Sequence, residues 1–292
     1  TNLLTAYTAN KGTGNRRHLL QAGDTFSLPS TLTIDLDGPS MFGKFGSGAK
    51  PIISVSTSGS NAAIQISGSS TPNLSNWRFV DLDLRGPATD TDNPCFFFSG
   101  SASKVLFLRC DMKDFCYGIK GSHFNLDGLN SSSYTHAIWS NIFIHDCTVN
   151  DLVGIGNGAN GIFLSAERSS VQGNYVNPNN KGEHGIRMEY ESLSVFSHNE
   201  ITGIPSGRAF MTLRTPDQGR ATFPSSVYGT YLYSEKNYVS DNRFYGGYTT
   251  GISGCGLING SSDGRNRDYV WERNLFESSA TTTQSLALTG VQ

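Results

Sequence analysis

A short motif recurs in the second half of the chain with a constant core and a variable spacing. The segments VQGNYV, FSHNEI, VSDNRF and WERNLF share an asparagine two residues before Val, Ile or Phe: Asn174, Asn199, Asn242 and Asn274. The same pattern occurs earlier in the chain in FIHDCTV, FLRCDM and FVDLDL, where Cys147, Cys110 and Leu82 take the position of the asparagine. A constant core with unequal intervals is typical of a solenoid whose strands and tight turns are fixed while loops on one side grow.

The repeated asparagine predicts an interior stack. An unpaired buried amide is costly, but amides stacked coil upon coil bond both the backbone and the next amide. We therefore expect the four asparagines to form a ladder, with Leu82, Cys110 and Cys147 in the same interior column. The alternative, that asparagine simply favours turns, does not explain the shared apolar residue that follows.

A second set of strands lies upstream of the motif, in YGIKGS, NGIFLSA, HGIRMEY and AFMTLR. Because side chains alternate along a strand, one set is expected to point inward: Ile119, Ile162, Leu164, Ile186, Met188, Met211 and Leu213. The other set is expected to point outward: Lys120, Phe163, Ser165, Arg187, Glu189, Thr212 and Arg214. Arg187 and Arg214 then project from neighbouring coils, offset by two residues, with Glu189 beside Arg214.

The two sets of strands predict an all-β chain that forms a single right-handed parallel β-helix over 1–292. We expect an N-terminal cap and first coil over 1–50, coils over 51–277 and a C-terminal tail over 278–292. A solenoid needs such a cap to cover its first coil. Within the cap, GNRRHLLQ is interpreted as a short helix or turn, and Gly23-Asp24-Thr25 opens a strand.

Composition agrees with short apolar runs between turns, since the chain has 33 glycines, 16% charged and 37% hydrophobic residues. A net charge of -2 gives no global attraction to nucleic acid or to an acidic membrane surface. No apolar run reaches the roughly 18 residues of a membrane span. Without a C-x-x-C pair, the five cysteines are interpreted as small buried side chains: Cys95, Cys110, Cys116, Cys147 and Cys255.

The segments GDTFSL, FGKFGSGAKPII, HGIRMEY, MTLR, SDNRF and ERNLF resemble the secreted right-handed β-helix proteins related to alginate lyases and chondroitinase B. The resemblance implies a secreted or periplasmic monomer, its leader already removed, that acts on an acidic polysaccharide. In that family an Arg of a T-L-R strand and a Lys or Tyr one coil away carry the chemistry. Arg214 matches the arginine; the preceding coil has Arg187 and Tyr190 and no lysine. In some members calcium offsets the substrate carboxylate, so no cofactor is certain and Ca²⁺ is a candidate.

β-Elimination on a uronate requires a cation at the carboxylate, a base for the C5 proton and an acid for the departing oxygen. Arginine suits the first role because its planar fork binds carboxylate bidentately. Arg187 and Arg214 are therefore the predicted carboxylate binders, unless they only pair with Glu189 at the surface. His184 and Tyr190 are equal candidates for the base. The alternatives are that His184 is a backbone-bonded turn residue and Tyr190 a core aromatic.

Further residues are expected to line the same groove. The insertion over 215–235 is expected to fold over it and deliver Tyr231, Tyr233 or Lys236, and aromatic rings offer sugars a flat apolar face. Lys120, two coils from Arg187, is expected to bind a distal carboxylate. These four residues and Glu189 complete the predicted substrate-binding set.

Two other functions stay open. A glycosidase needs two carboxylates beside the bond; Asp81, Asp83, Asp111 and Asp114 lie on outward faces but lack the Asp-Asp and Asn-Thr-Asp signatures of β-helical pectin hydrolases. The pectate-lyase pattern R-x-P-x-x-R is missed by one residue between Arg214 and Arg220. A non-catalytic glycan-binding β-helix or adhesin would need no acid-base pair. The first hypothesis is a lyase acting on a uronate polymer, alginate foremost.

Overall fold

The computed structural model describes residues 2–12, 15–56, 61–68, 74–88, 92–121, 139–154, 158–205, 208–214, 234–246, 256–259, 266–277 and 287–289. Within those ranges the chain has one helix, α1 (Leu3–Asn10), and otherwise short strands that pair in parallel with the next turn of the chain. The strands fall into three columns, which we call face 1, face 2 and face 3. The chain is a right-handed parallel β-helix, as the sequence predicts.

Face 1 consists of β3 (Leu32–Ile34), β6 (Ile64–Ile66), β9 (Pro94–Phe98), β12 (Tyr117–Gly121), β15 (Asn160–Glu167), β18 (His184–Ser192), β21 (Met211–Arg214), β25 (Gly256–Asn259) and β29 (Ala287–Thr289). Face 2 consists of β1 (Arg17–Gln21), β4 (Ser40–Phe45), β7 (Leu74–Val80), β10 (Ala102–Leu108), β13 (Trp139–His145), β16 (Ser170–Gln172), β19 (Val195–Ser197), β23 (Tyr238–Ser240) and β27 (Val270–Glu272). Together they form an 18-stranded sheet.

Face 3 is a separate nine-stranded sheet: β2 (Thr25–Leu28), β5 (Ile52–Val55), β8 (Asp83–Arg85), β11 (Asp111–Lys113), β14 (Thr148–Asn150), β17 (Tyr175–Asn177), β20 (Glu200–Ile201), β24 (Arg243–Tyr245) and β28 (Leu275–Glu277). A further pair, β22 (Ser234–Glu235) and β26 (Asn266–Arg267), precedes face 2 in the last coils. Each coil therefore runs from face 1 through face 2 to face 3.

The corner from face 2 to face 3 has the same two-residue length in seven successive coils. Its first residue always takes a left-handed conformation, with φ between 51° and 67°: Asp81, Arg109, Asp146, Gly173, His198, Asp241 and Arg273. The segments at both ends of face 1 vary in length. The sequence interpretation placed the growing loops on one side of the solenoid; the structure has them at both ends of face 1.

The second corner residue forms the predicted ladder. The amide Nδ2 of Asn199 donates to Val171 O at 2.9 Å and to Asn242 Oδ1 at 2.9 Å. Its Oδ1 accepts from the backbone N of Asn174 at 3.2 Å and from Asn174 Nδ2 at 2.9 Å. Asn274 continues the pattern, and Leu82, Cys110 and Cys147 lie in the same column. The prediction is confirmed.

A second, shorter ladder lies at the corner from face 1 to face 2, where sequence reasoning found none. Ser169 Oγ accepts from Ile142 N at 3.4 Å, Ser194 Oγ from Ser169 N at 3.1 Å, and Asn237 Oδ1 from Ser194 N at 3.0 Å. Serine and asparagine share the position because both supply an oxygen to the backbone N–H of the preceding coil.

The N-terminal segment differs from its interpretation. GNRRHLLQ is not a short helix or turn, because Arg17–Gln21 is strand β1 and pairs with β4. The strand opened at Thr25 is present as Thr25–Leu28. Helix α1 lies upstream, capped by Asn2, whose side chain accepts from Thr5 N, and it buries Leu3 and Tyr7. Its role as a cap stays a prediction.

Inward alternation along face 1 breaks in β18. The register with β15 shifts between Leu164 and Ser165, so Leu164 pairs with Met188 and Ser165 with Tyr190. Glu191 then pairs with the buried Ala166 and is fully buried itself. Alternation continued from Arg187 and Glu189 would place Glu191 outward, which is wrong because one extra residue in β18 moves everything after it to the other face.

The buried Glu191 carboxyl predicts an unusual pH dependence. Burial holds its pKa well above the ordinary value of 4.5, and a hydrogen bond from Tyr269 opposes only part of that shift. A raised folded-state pKa favours folding below the ordinary pKa and loses that advantage as pH rises. Glu191→Gln should therefore be the more stable protein at neutral pH, the gap growing by up to about 1.4 kcal/mol per pH unit above 4.5.

Urea unfolding of both proteins between acid and neutral pH measures that gap. Glu167→Gln, at a half-buried position of β15, is the control and should track the wild type at every pH. A constant difference between Glu191→Gln and wild type across the pH range would contradict the assignment.

Four of the five cysteines, Cys95, Cys110, Cys116 and Cys147, are buried with free thiols, as expected. Cys255 lies outside the described residues. In the described part of the chain no helix is long and apolar enough to cross a membrane.

Candidate functional site

The outward row of face 1 crosses the coils in register. Lys120 pairs with Phe163, Phe163 with Arg187, and Arg187 with Thr212. Arg214 is two residues beyond Thr212 on β21, so its predicted offset from Arg187 is confirmed by the backbone. The side chain of Arg214 lies outside the described residues, as do those of Glu189 and Tyr190. The described centre of the row is therefore Arg187.

Arg187 is held by a carboxylate on one side and an aromatic ring on the other. Its Nη1 lies 2.6 Å from Glu183 Oε2, and Arg208 Nη1 lies 3.1 Å from Glu183 Oε1. The Arg187 guanidinium lies 4.9 Å from the centre of the Phe163 ring. The side chains of Arg187 and Glu183 are only 15% and 11% exposed. The row is thus not an exposed basic face, and Arg187 pairs with Glu183, four residues upstream.

Glu183 and Arg208 were missed by the sequence analysis. Both lie in the segments between face 3 and face 1, whose lengths vary from coil to coil, so strand alternation gives no position for them. Two guanidinium groups therefore converge on one half-buried carboxylate. Guanidinium groups fixed in this way, one of them beside the Phe163 ring, can present a planar fork to an incoming carboxylate.

Lys120 has a comparable setting two coils away. Its Nζ lies 2.9 Å from Asp92 Oδ1 and 4.2 Å from the centre of the Tyr117 ring, and the side chain is 13% exposed. The Tyr117 and Phe163 rings stack at 6.3 Å between centres. Aromatic and cationic groups therefore alternate across three coils, Tyr117 and Lys120, then Phe163, then Arg187.

His184 begins β18 and is buried. Its Nδ1 lies 2.9 Å from the carbonyl of Ala209, 3.2 Å from the N–H of Ala209 and 3.2 Å from Thr212 Oγ1. Nδ1 can donate to the carbonyl or accept from the N–H, so it keeps a partner in either tautomer. The backbone bonding that the alternative interpretation of His184 predicted is therefore present.

Three polar side chains occupy the first position of successive face 1 strands. Tyr117 pairs with Asn160, and Asn160 with His184. Each precedes Gly-Ile, in YGI, NGI and HGI, a signal that the sequence analysis quoted without drawing this column from it.

The glycines of that column explain the close stacking. A Cβ on Gly118 would lie 2.7 Å from the carbonyl of Gly161, and one on Gly161 would lie 2.5 Å from the carbonyl of Gly185. No side chain fits there, so the coils approach closely and the polar residues before the glycines lie one coil apart.

The remaining predicted residues do not join this group. Lys236 is 58% exposed in a left-handed corner before face 2, and its neighbour Glu235 bonds the backbone of Leu193. Leu193 lies six residues past Arg187, about 20 Å along the strand. The structure therefore places Lys236 away from Arg187, and its substrate-binding role stays a prediction. Tyr231 and Tyr233 lie outside the described residues.

Comparison with solved structures shows which fold this chain shares. The chain resembles the tailspike protein of E. coli bacteriophage HK620, solved with a pentasaccharide (TM-score 0.61, 11% identity, 98% of this chain and 54% of that one). It resembles the Dettilon tailspike protein (TM-score 0.52, 14% identity, 86% of this chain and 43% of that one). It also resembles the catalytic domain of an alpha-1,3-glucanase solved with tetrasaccharides (TM-score 0.50, 10% identity, 98% and 54%).

At these identities the likeness establishes the fold, which is the right-handed parallel β-helix. The chain spans about half the length of these three structures. No known protein family and no curated protein matches its sequence.

Proposed function

We propose that this β-helix binds and processes a polysaccharide on face 1, and that it cleaves a uronate-containing chain, alginate foremost, by β-elimination. The observation that carries the proposal is the Arg187–Glu183–Arg208 group. Its two guanidinium groups and partial burial suit one sugar carboxylate per site, rather than a polyanion bound over a broad basic surface. The protein is proposed to act outside the cell or in the periplasm, as a monomer.

The fold supports a glycan as the ligand but does not identify which glycan it is. The HK620 tailspike and the alpha-1,3-glucanase were solved with oligosaccharides bound. The same scaffold serves several reactions, so the reaction must be argued from the residues present.

The residues divide the work of an elimination. Arg187 and Arg208 hold the carboxylate and stabilise the negative charge that develops on it when the C5 proton leaves. His184, at the start of the same strand as Arg187, is the proposed base that takes that proton. Lys120, with its ammonium over the Tyr117 ring, binds the carboxylate of a neighbouring sugar.

Glycoside hydrolysis fits the described carboxylates less well. Asp92 and Glu183 are the acidic groups beside the row, and they precede β9 and β18, which are three strand spacings apart. Three spacings amount to about 14 Å, whereas glycosidase carboxylates lie roughly 5–9.5 Å apart. Both acids are also committed to ion pairs.

The test is incubation of the protein with alginate, pectate, hyaluronan and chondroitin, followed by the ultraviolet absorbance of unsaturated uronates. We expect the absorbance to rise with alginate. Reducing ends without that absorbance would establish hydrolysis instead, and binding without either would establish a non-catalytic glycan-binding protein. Repeating the assay with EDTA and with added Ca²⁺ tests the proposed calcium dependence.

A further inference from the structure

We propose that Tyr117 is the proton donor to the departing glycosidic oxygen, an inference that rests on the proposed elimination. Elimination needs an acid as well as a base, and the residues identified from the sequence supply candidates for the base. Tyr117 lies in the column of His184, two coils away, at the same position along the strand.

The surroundings of the Tyr117 hydroxyl suit that role. The hydroxyl makes no hydrogen bond to any described residue, and it adjoins Gly158, where an added Cβ would lie 3.3 Å from the oxygen. Burial raises the pKa of Tyr117, with Asp92 next in effect, so the phenol carries its proton at neutral pH. The Lys120 ammonium over the ring and the nearby Arg187 offset part of that cost when the proton leaves.

Asn160 marks the position of the sugar between the two groups. It pairs with Tyr117 on one side and His184 on the other. Its Nδ2 donates to Gly158 O at 2.9 Å, while its buried Oδ1 has no partner within the described ranges. A sugar over Asn160 has Tyr117 and His184 about 5 Å away on either side, by strand spacing.

In the proposed elimination, every proton that is removed or donated is accounted for. The C5–H bond breaks and its proton passes to the proposed base, His184, while the electron pair forms the C4–C5 double bond. The C4–O bond breaks, and the departing oxygen takes the phenolic proton of Tyr117. His184 then returns its proton, through solvent, to the Tyr117 phenolate.

Tyr117→Phe removes the proton and keeps the ring beneath Lys120. We expect kcat on the polymer to fall by at least about 100-fold, with KM nearly unchanged. On a synthetic uronate with a nitrophenoxy leaving group at C4, which needs no acid, the variant should retain nearly the wild-type rate. Gly158→Ala, which brings a methyl group against the hydroxyl, should lower kcat/KM on the polymer.

Tyr7→Phe is the matched control, because Tyr7 is also buried with no described partner for its hydroxyl and lies in α1. Its kinetics should match the wild type. Equal losses for Tyr117→Phe on the polymer and on the activated substrate would overturn the acid role and leave the elimination itself intact. If the wild-type protein eliminates no uronate polymer, the proposed function fails and this inference fails with it.

Discussion

Replacing Arg187 with alanine is expected to lower kcat/KM for elimination by about 100-fold to 1,000-fold, the usual cost of losing one group aimed at developing charge. The loss should appear mainly in kcat, because the carboxylate gains its charge in the transition state. Arg187→Lys should recover only part of the rate, since an ammonium cannot bind a carboxylate as a planar fork. Initial rates of unsaturated uronate formation measure both variants.

The structure separates this effect from unfolding. Glu183 keeps its contact with Arg208 at 3.1 Å when Arg187 is removed, so the substitution does not leave a half-buried carboxylate without a cation. Arg243→Ala is the matched control, because Arg243 also pairs with a carboxylate, Glu277, and stacks on a ring, but on face 3. Full activity in Arg187→Ala would remove Arg187 from the site, and equal losses in both variants would indicate a general defect.

Asn199→Ala is expected to cost the largest stability of any single ladder substitution, about 3–5 kcal/mol. The amide makes two bonds through Nδ2 and accepts two through Oδ1, and alanine leaves the buried N–H of Asn174 and the carbonyl of Val171 unsatisfied. Each unsatisfied buried group costs about 1–3 kcal/mol. Equilibrium urea unfolding measures the difference in the free energy of unfolding.

Cys110→Ala tests whether the hydrogen bonds matter more than the volume. Cys110 occupies the same column in an earlier coil, and its thiol makes only weak contacts to the carbonyls of Phe79 and Leu108. Removing one buried sulfur should cost about 1 kcal/mol. Similar losses for Asn199→Ala and Cys110→Ala would contradict the ladder as the source of stability.

The parts of the fold that could be predicted are those with a strict period. The ladder asparagines recur in one frame, and Ile119, Ile162 and Ile186 alternate as strand residues must, so their positions follow from the sequence. The buried position of Glu191 could not be predicted, because an extra residue in β18 shifts the alternation. The segment HGIRMEYES contains no residue pattern that indicates this shift. The two-residue alternation of a strand predicts the direction of its side chains only where the strand has no bulge.

The sequence predicted that Arg187, Lys120 and His184 share one face, but it did not predict the carboxylates that pair with the two cations. Arg187, Lys120 and His184 lie on face 1 as expected, because strand alternation applies to them. Glu183 and Asp92 lie in connecting segments of unequal length, and only the folded chain brings them to those cations. Neighbours contributed by loops therefore decide whether a basic row is exposed or paired.

The invariant corner between faces 2 and 3 divides the molecule into a frame and a changeable edge. Seven coils turn there in two residues, closed by a left-handed residue and a ladder position, whereas both ends of every face 1 strand connect to segments of differing length. Segments exchanged at those ends leave the ladder and its backbone bonds untouched. The scaffold is therefore suited to grafting, in which replacing the stretches that flank face 1 would change ligand choice without redesign of the interior.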